Sequence, residues 1–385
     1  IEPEFHFSWF GFVAVPAPAL LFVLFGLQII SGLCIAAGRG VRPALGVWFA
    51  SFVFIELLDK SLYLNHYVLF SLVGLTLLLS PIGSLKWSHS ERGAPQWLLW
   101  LLRIEFATVY FWAGVHKINA DWLVRGEPLA TWLQAHSELP WVGTFLTQES
   151  TALAMSWSGM IYDLTIPFLL LWSFTRPLAL LLVFGFHAAV GLLFPIGMFP
   201  LMMMTGALLF CTPSWPRRYF SGVWNPNWTS EKPLSPLASW CWGLAVAVFC
   251  LFPSRSLWAE GNDNWREQSY RFSWKVLLNE KTGLVNYRVV DPESGQTWHV
   301  SPADELTLLQ HQQMRTQPDM IRDYALHLKR RREQEIQQTV EVYVDSWASL
   351  NGRPSQRFIR PDLDISRTKS WLEAQDWIVP LQAFE

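Results

Sequence analysis

The sequence predicts a polytopic α-helical membrane protein with about seven to eight transmembrane helices, followed by a C-terminal, β-rich α+β soluble domain. The 385 residues are 51% hydrophobic and only 16% charged, whereas soluble domains carry about 25% charged residues. Several apolar stretches approach the ~20 residues needed to cross a bilayer. The charged residues are also unevenly spread, because 24 precede Ser254 and 36 follow from there. This break predicts two domains, 1–253 in the membrane and 254–385 outside it.

The apolar part contains eight candidate spans. They cover residues 9–37, 41–58, 65–82, 96–118, 151–173, 177–194, 197–211 and 236–252. Several are short for a straight crossing, so we expect one or two of them to be tilted or re-entrant. The sequence begins at Ile1 without an initiator Met, and we expect it to be a fragment of a longer protein.

Basic residues in short connections predict the orientation of the membrane domain. They fall in alternate connections, which carry Arg39 and Arg42, Lys86 and Arg92, Arg176, and Arg217 and Arg218. We place this side in the cytoplasm and the tail on the opposite side. The prediction is therefore an integral membrane protein with an extracytoplasmic C-terminal domain, periplasmic in a bacterium or lumenal in the endoplasmic reticulum.

The tail alternates like strands in residues 270–278, 283–290 and 297–300, and further strands are expected at 339–347 and 356–359. Residues 301–338 are predicted to form a helix. A net charge of −2 and the lack of a basic patch with interleaved aromatic residues exclude a nucleic-acid partner. The sequence shows no phosphate-binding loop, dinucleotide fingerprint or His-rich metal cluster, so no metal is predicted.

The span 96–118 is the most informative. Arg103, Tyr110, Gly114 and Lys117 follow spacings of 7, 4 and 3, and they therefore share one helix face that must point at protein or water. Arg103 and Lys117 are separated by ~21 Å along the axis and cannot serve one small reaction centre.

Other ionisable residues in the spans are assigned structural roles. Arg103 is expected to form a structural pair with Asp163, and Glu105 is expected to be a buried helix–helix partner.

Ionisable groups from three regions of the chain are predicted at the same depth near the outer end of the bundle. They are Asp59, Lys60, His66, Lys117 and His187. Snorkelling to the interface is the simpler interpretation for Lys60. For Lys117, snorkelling and an inward position both remain open, and the shared helix face and the preceding Gly114 favour the inward one.

An inward lysine in an apolar pocket has a definite chemical use. Loss of solvation disfavours the ammonium form, and a neutral amine can take a proton from a weak acid such as a phenol or quinol. His187 either orients or relays at such a site, or is simply a satisfied buried histidine.

The chain resembles the vitamin K-dependent γ-glutamyl carboxylase family in several segments, in order, across both predicted domains. The segments are residues 113–122, 57–60 followed by Asn65 and His66, 186–187 with 194–217, 264–274 around Tyr270, and 345–357.

This resemblance implies that a lysine at the position of Lys117 deprotonates vitamin K hydroquinone. The product of its reaction with O2 removes a γ-proton from a protein-bound glutamate, the carbanion captures CO2, and the quinone leaves as its epoxide. We predict Lys117 and His187 as catalytic residues. The predicted cofactor-binding residues are Asp59, His66, Tyr110, Gly114 and Tyr270. The expected partners are a glutamate-containing protein or peptide and membrane lipid.

Several departures from the family pattern indicate a bacterial-type homologue. Vertebrate members have a second lysine where this chain has His116, and a histidine where it has Gly93. The polar residues that follow the position of His187 are replaced by residues 188–191, which are apolar. The family's first hydrophobic segment and the long C-terminal extension are absent from this sequence.

Two alternatives therefore stay open. One is a quinol epoxidase that has lost glutamate carboxylation. The other is a non-catalytic quinone-binding or transport protein.

Overall fold

The computed structural model describes residues 5–7, 10–80, 95–212, 215, 235–368 and 376–383. Its amino-terminal part contains an apolar helix at every predicted span. The helices are α1 (Pro18–Ala36), α2 (Val41–Leu58), α3 (Asn65–Leu79), α4 (Gln96–His116), α5 (Ala120–Leu123), α6 (Leu129–Leu133), α7 (Gly143–Leu146), α8 (Glu149–Leu171), α9 (Arg176–Leu193), α10 (Phe199–Ala207) and α11 (Pro236–Leu251).

Six helices in the described ranges are long and apolar enough to cross a membrane: α1, α2, α4, α8, α9, and α11 with its extension to Leu257. Helices α3 and α10 are apolar but shorter, with 15 and 9 residues. The predicted fold class is confirmed, with six helices of crossing length rather than seven or eight. Helix α4 lies at the centre of the bundle and packs against α3, α8, α10 and α11.

The tail folds into an antiparallel sheet covered by helices. Its strands are β1 (Lys281–Val290), β2 (Thr297–Val300), β3 (Glu341–Leu350) and β4 (Gln356–Arg357), in the order β2-β1-β3-β4. Three helices accompany them: α12 (Asp263–Arg266), α13 (Leu308–Met314) and α14 (Pro318–Ile336). Helix α14 packs on β1 and β3, where Tyr324 meets Tyr287 edge to face at 5.0 Å.

Two predictions for the tail were wrong. Residues 270–278 form turns rather than a strand, because Phe272, Trp274 and Leu277 have φ values of 59°, 57° and 56°, which no extended strand accommodates. The single helix predicted for 301–338 is divided into α13 and α14, since Pro318 lacks the N–H needed to continue a helix and begins a new one.

The tail domain packs on one end of the bundle. Helices α2 and α9 run toward it, away from the connections that carry Arg39, Arg42 and Arg176. Those basic connections therefore lie at the opposite end of the bundle from the tail, as the orientation rule predicts. The basic residues Lys86, Arg92, Arg217 and Arg218 lie outside the described residues.

A buried ion cluster joins the two domains. Lys60, in the turn between α2 and α3, donates to Asp319 at 2.9 Å and also to Asp323 on α14. Arg271 donates to the same Asp319 carboxylate at 2.7 Å. Only 2% of Lys60 is exposed, so the snorkelling predicted for it was wrong. Tertiary packing of the tail supplies the counter-charges, which the local sequence around Lys60 does not contain.

The two cations control the charge state of Asp319. Burial alone raises the pKa of its carboxyl group, but attraction to Arg271 and Lys60, together with their hydrogen bonds, outweighs burial and holds the pKa well below its ordinary value. The carboxylate is therefore ionised at neutral pH, and its contribution to stability is lost progressively as the pH falls from the ordinary pKa of an aspartate through the lowered one.

We predict that Asp319→Asn destabilises the protein by about 3–5 kcal/mol, because it leaves Lys60 and Arg271 buried with too little negative charge. Thermal unfolding in detergent measures the change. The matched control is Asp345→Asn, which removes an exposed pair with Arg357 and should cost less than about 1 kcal/mol. Equal shifts of the unfolding temperature for the two variants would contradict the claim that the buried cluster stabilises the contact between the domains.

Candidate functional site

An apolar cavity lies between α4, α8, α9 and α10, at the end of the bundle that faces the tail. The empty space within it, including the part that opens to solvent, is about 640 Å³. Most of the lining side chains are apolar or aromatic. Four polar side chains also face the cavity, and they are Tyr110, Lys117, Asp163 and His187.

Lys117 and Asp163 form a buried ion pair in the cavity wall. The Lys117 ammonium donates to Asp163 Oδ2 at 2.7 Å and makes a longer contact of 3.4 Å with the Ala113 carbonyl oxygen. Its Nζ also lies 5.1 Å from the centre of the Trp122 ring, a distance at which a cation is attracted to the ring face. The exposed fractions of Lys117 and Asp163 are 5% and 4%. Lys117 thus points inward rather than toward the bilayer surface.

Local sequence explains why the pair forms there. Lys117 follows the last residue of α4, where its backbone N–H bonds the Gly114 carbonyl oxygen. A Cβ atom on Gly114 would lie 2.7 Å from Leu164 Cγ and 2.9 Å from its backbone nitrogen. Only glycine permits this close approach of α4 to α8, which brings Lys117 within reach of Asp163.

Trp122 is fixed in place by two hydrogen bonds. Asn119 caps the N-terminus of α5 and accepts from the Trp122 backbone N–H at 3.0 Å, and the indole N–H donates to the Ser156 carbonyl oxygen on α8 at 2.6 Å. The ring is therefore a rigid part of the cavity wall beside Lys117.

A second polar pair faces the cavity from α4 and α9. The Tyr110 hydroxyl and His187 Nε2 are 2.8 Å apart, and His187 is only 2% exposed. Within the part of the chain that the structure describes, His187 Nδ1 has no hydrogen-bond partner. A buried polar atom without a partner is costly unless something else satisfies it, so this nitrogen is available to a ligand.

The other predicted site residues lie outside the cavity lining. Asp59 accepts from the Ser61 backbone N–H and from Gln310 of the tail, both at 2.8 Å. His66 lies behind Phe199, whose ring contacts both His66 and His187 with centroid distances of 5.9 Å. Gly114 lies where α4 packs closely against α8, and Tyr270 lies at the domain junction. Cofactor binding by these four residues stays a prediction.

Two structural expectations for the spans had different outcomes. The predicted pairing of Arg103 with Asp163 was wrong, because Arg103 donates instead to the Leu209 and Cys211 carbonyl oxygens at 2.9 and 3.3 Å. Glu105 is confirmed as a helix–helix partner, since it accepts a 2.5 Å hydrogen bond from Thr76 on α3.

His116 is turned away from Lys117 and the cavity. Its Nε2 lies 2.5 Å from the Ser256 hydroxyl, and its ring contacts Trp112. The histidine at the position of the second family lysine therefore belongs to the domain junction, close to the buried pair of Lys275 and Asp263. Gly93 lies outside the described residues.

Sequence reasoning missed two features of the site. It assigned Asp163 to Arg103, although a carboxylate in an apolar span was itself a signal for a buried cation. It also missed Val276 and Leu277 of the tail, which line the cavity and carry no sequence signal that distinguishes them from ordinary strand residues. In the described ranges, no group of three or more His, Cys, Asp or Glu side chains could hold a metal.

The fold and the cavity define a class of protein: a helical membrane domain with an apolar cavity that contains two polar pairs and is lined in part by the tail domain. Two family models match the chain. The HTTM domain matches residues 2–215, and the vitamin K-dependent gamma-carboxylase, lumenal domain, matches residues 235–383. No solved structure matches the chain significantly. The chain belongs to the vitamin K-dependent γ-carboxylase family, and the lumenal-domain match agrees with an extracytoplasmic tail.

We predict that Gly114→Ala destabilises the protein by about 1–3 kcal/mol, because the added methyl group forces α4 and α8 apart. Thermal unfolding in detergent measures the effect. The control is Gly185→Ala on α9, where an added Cβ meets nothing within 4 Å and the higher helix propensity of alanine applies. Identical unfolding temperatures for the two variants would show that the close contact at Gly114 is not needed.

Proposed function

We propose that the protein is a vitamin K-dependent γ-glutamyl carboxylase-like membrane enzyme. It would couple the oxygenation of vitamin K hydroquinone to its epoxide with the γ-carboxylation of protein glutamate. The observation that carries this proposal is the buried Lys117–Asp163 pair in an apolar cavity of a chain that belongs to this family. In this proposal residues 1–253 form the membrane domain and residues 254–385 the extracytoplasmic domain.

The residues around the cavity fit a reduced quinone. The walls are apolar, as a lipid-soluble ring requires, and polar groups are grouped as two pairs, Lys117 with Asp163 and Tyr110 with His187. When bound, the hydroquinone supplies, through its reaction with O2, the strong base that removes the γ-proton of glutamate. O2 and CO2 are small apolar molecules that can enter such a cavity, and the proposed chemistry uses no metal.

In this mechanism Lys117 Nζ takes the hydroxyl proton. An ammonium that already bonds Asp163 has no free electron pair, so the pair must enter the cycle with one proton fewer, as a neutral amine beside a carboxylate. Uptake of the proton then restores the ion pair. Asp163 stabilises the ammonium that forms and holds Nζ at the cavity wall by their 2.7 Å hydrogen bond.

His187 and Tyr110 are proposed to orient the ring. Tyr110 fixes the His187 ring through Nε2, which leaves the unpartnered Nδ1 for an oxygen of the ligand. The glutamate-containing protein or peptide would approach from the extracytoplasmic side, where the tail domain meets the cavity.

A quinol epoxidase without carboxylation is the second candidate. The observation that favours it is the apolar turn of α9 after His187, where Val190 lines the cavity and residues 188–191 carry no side chain that could bond a glutamate carboxylate. Epoxide formation needs only the two polar pairs, whereas carboxylation also needs a held glutamate.

We predict that the purified protein, given reduced vitamin K, O2, labelled CO2 and a glutamate peptide, forms epoxide and incorporates label into the peptide. Both products are measured in the same reaction. Epoxide without incorporated label would establish the epoxidase alternative. Quinol binding without either product would leave a non-catalytic quinone-binding or transport protein.

We predict that Lys117→Ala and Lys117→Arg both lower the rate of epoxide formation by about 10²–10⁴-fold, the usual contribution of a positioned base. Arginine keeps the positive charge and can still bond Asp163, but it cannot lose its proton. The measurement is the initial rate of epoxide formation, with Lys329→Ala on the tail as the control. Near-normal activity of Lys117→Arg would show that the site needs a cation and not a base.

A further inference from the structure

A segment of the tail domain closes the cavity. In this segment, residues 269–278, here called the strap, Val276 and Leu277 line the cavity. The flanking side chains anchor it in the bundle: Trp274 is buried in the membrane core against Phe249, with ring centres 5.7 Å apart, and Leu278 is buried in the cluster that contains Trp122. The strap is thus the wall between the cavity and the extracytoplasmic side.

The strap has no regular secondary structure to hold its shape. It lies outside the sheet, and it has three residues with left-handed backbone, a conformation that surrounding contacts must impose. Several of its polar backbone groups are instead bonded by side chains from outside the strap. The position of the wall therefore depends on those side chains.

Tyr63, in the turn between α2 and α3, and Asn65, the first residue of α3, form a continuous chain of hydrogen bonds to the strap. The Phe272 backbone N–H donates to the Tyr63 hydroxyl at 2.7 Å, and that hydroxyl donates to Asn65 Oδ1 at 2.8 Å. Asn65 Nδ2 then donates to the Lys275 carbonyl oxygen at 2.8 Å. The two residues grip the strap on both sides of Trp274.

Arg255 holds the first half of the strap from the side of α11. Its guanidinium donates to the Ser269 carbonyl oxygen at 3.1 Å, to the Phe272 carbonyl oxygen at 3.3 Å and to the Arg271 carbonyl oxygen. Asn65, which Tyr63 bonds, therefore reaches past Phe272 to Lys275, the residue before Val276, and Asn351 donates to the Leu278 carbonyl oxygen at 3.1 Å from the other end.

We infer that Tyr63 and Asn65 are positioning residues that keep the strap closed against water and thereby couple epoxide formation to carboxylation. This inference rests on the proposed function. Water that reached the γ-carbanion would return a proton to carbon, leaving hydroxide and unchanged glutamate, whereas CO2 forms a new carbon–carbon bond. A loosened wall would thus let epoxide form without carboxylation, because closure of a site prevents such side reactions.

The test compares Tyr63→Phe and Asn65→Asp with the unmodified protein. Tyr63→Phe removes the hydroxyl group, and Asn65→Asp keeps the acceptor for Tyr63 but replaces the donor to Lys275. The control is Gln310→Ala, because Gln310 bonds Asp59 across the same domain junction at 2.8 Å rather than the strap. The measurements are the ratio of epoxide to carboxylated glutamate and the amide hydrogen exchange of residues 273–278.

We expect both variants to raise the ratio and the strap exchange rate about fivefold, the size that corresponds to one net hydrogen bond, and the control to change neither. A proportional fall of both products with unchanged strap exchange would overturn the inference. If the unmodified protein forms no epoxide, the proposed function fails. The exchange rates then test separately whether Tyr63 and Asn65 hold the strap. Unchanged strap exchange in both variants would show that they do not.

Discussion

The architecture of this protein depends on keeping one ion pair, Lys117 with Asp163, inside an apolar cavity of a membrane domain. Two charges in such surroundings are tolerated only when they are close together and well bonded. Closeness requires two helices in near contact, which Gly114 permits. It also requires a wall without water, which the fixed Trp122 ring supplies on one side. The cavity, the contact between α4 and α8 and the short loop after α4 thus all help to keep this ion pair close together and away from water.

The pair also explains why the site is built from two domains. The end of a helical bundle is open, and an ion pair located there would be hydrated. In this structure Val276 and Leu277 of the tail cover that end, and the junction around them is held by further buried pairs such as Lys275 with Asp263. The soluble domain therefore supplies part of the wall of the cavity in the membrane domain.

Sequence reasoning predicted what depends on local pattern and missed what depends on tertiary partners. Hydropathy located the eight longer apolar helices that the structure describes in the membrane part, and helical spacing placed Lys117 and Tyr110 on the same face. The partner of Asp163 was wrong because spacing along a helix does not show which face a neighbouring helix presents. The strand predicted for 270–278 was wrong because its apolar side chains pack into the membrane bundle, through a backbone with left-handed residues, rather than against the sheet.

The buried cluster of Lys60, Asp319 and Arg271 has a consequence for biosynthesis. Lys60 is synthesised more than 200 residues before Asp319, so its counter-charges arrive only after the whole membrane part has emerged from the ribosome. Until then the environment that surrounds Lys60 in the folded protein is incomplete. Export of the tail is therefore a condition for completing the membrane part. A chain that ends before α14 would keep Lys60 but lack both of the carboxylates that it bonds in the folded protein.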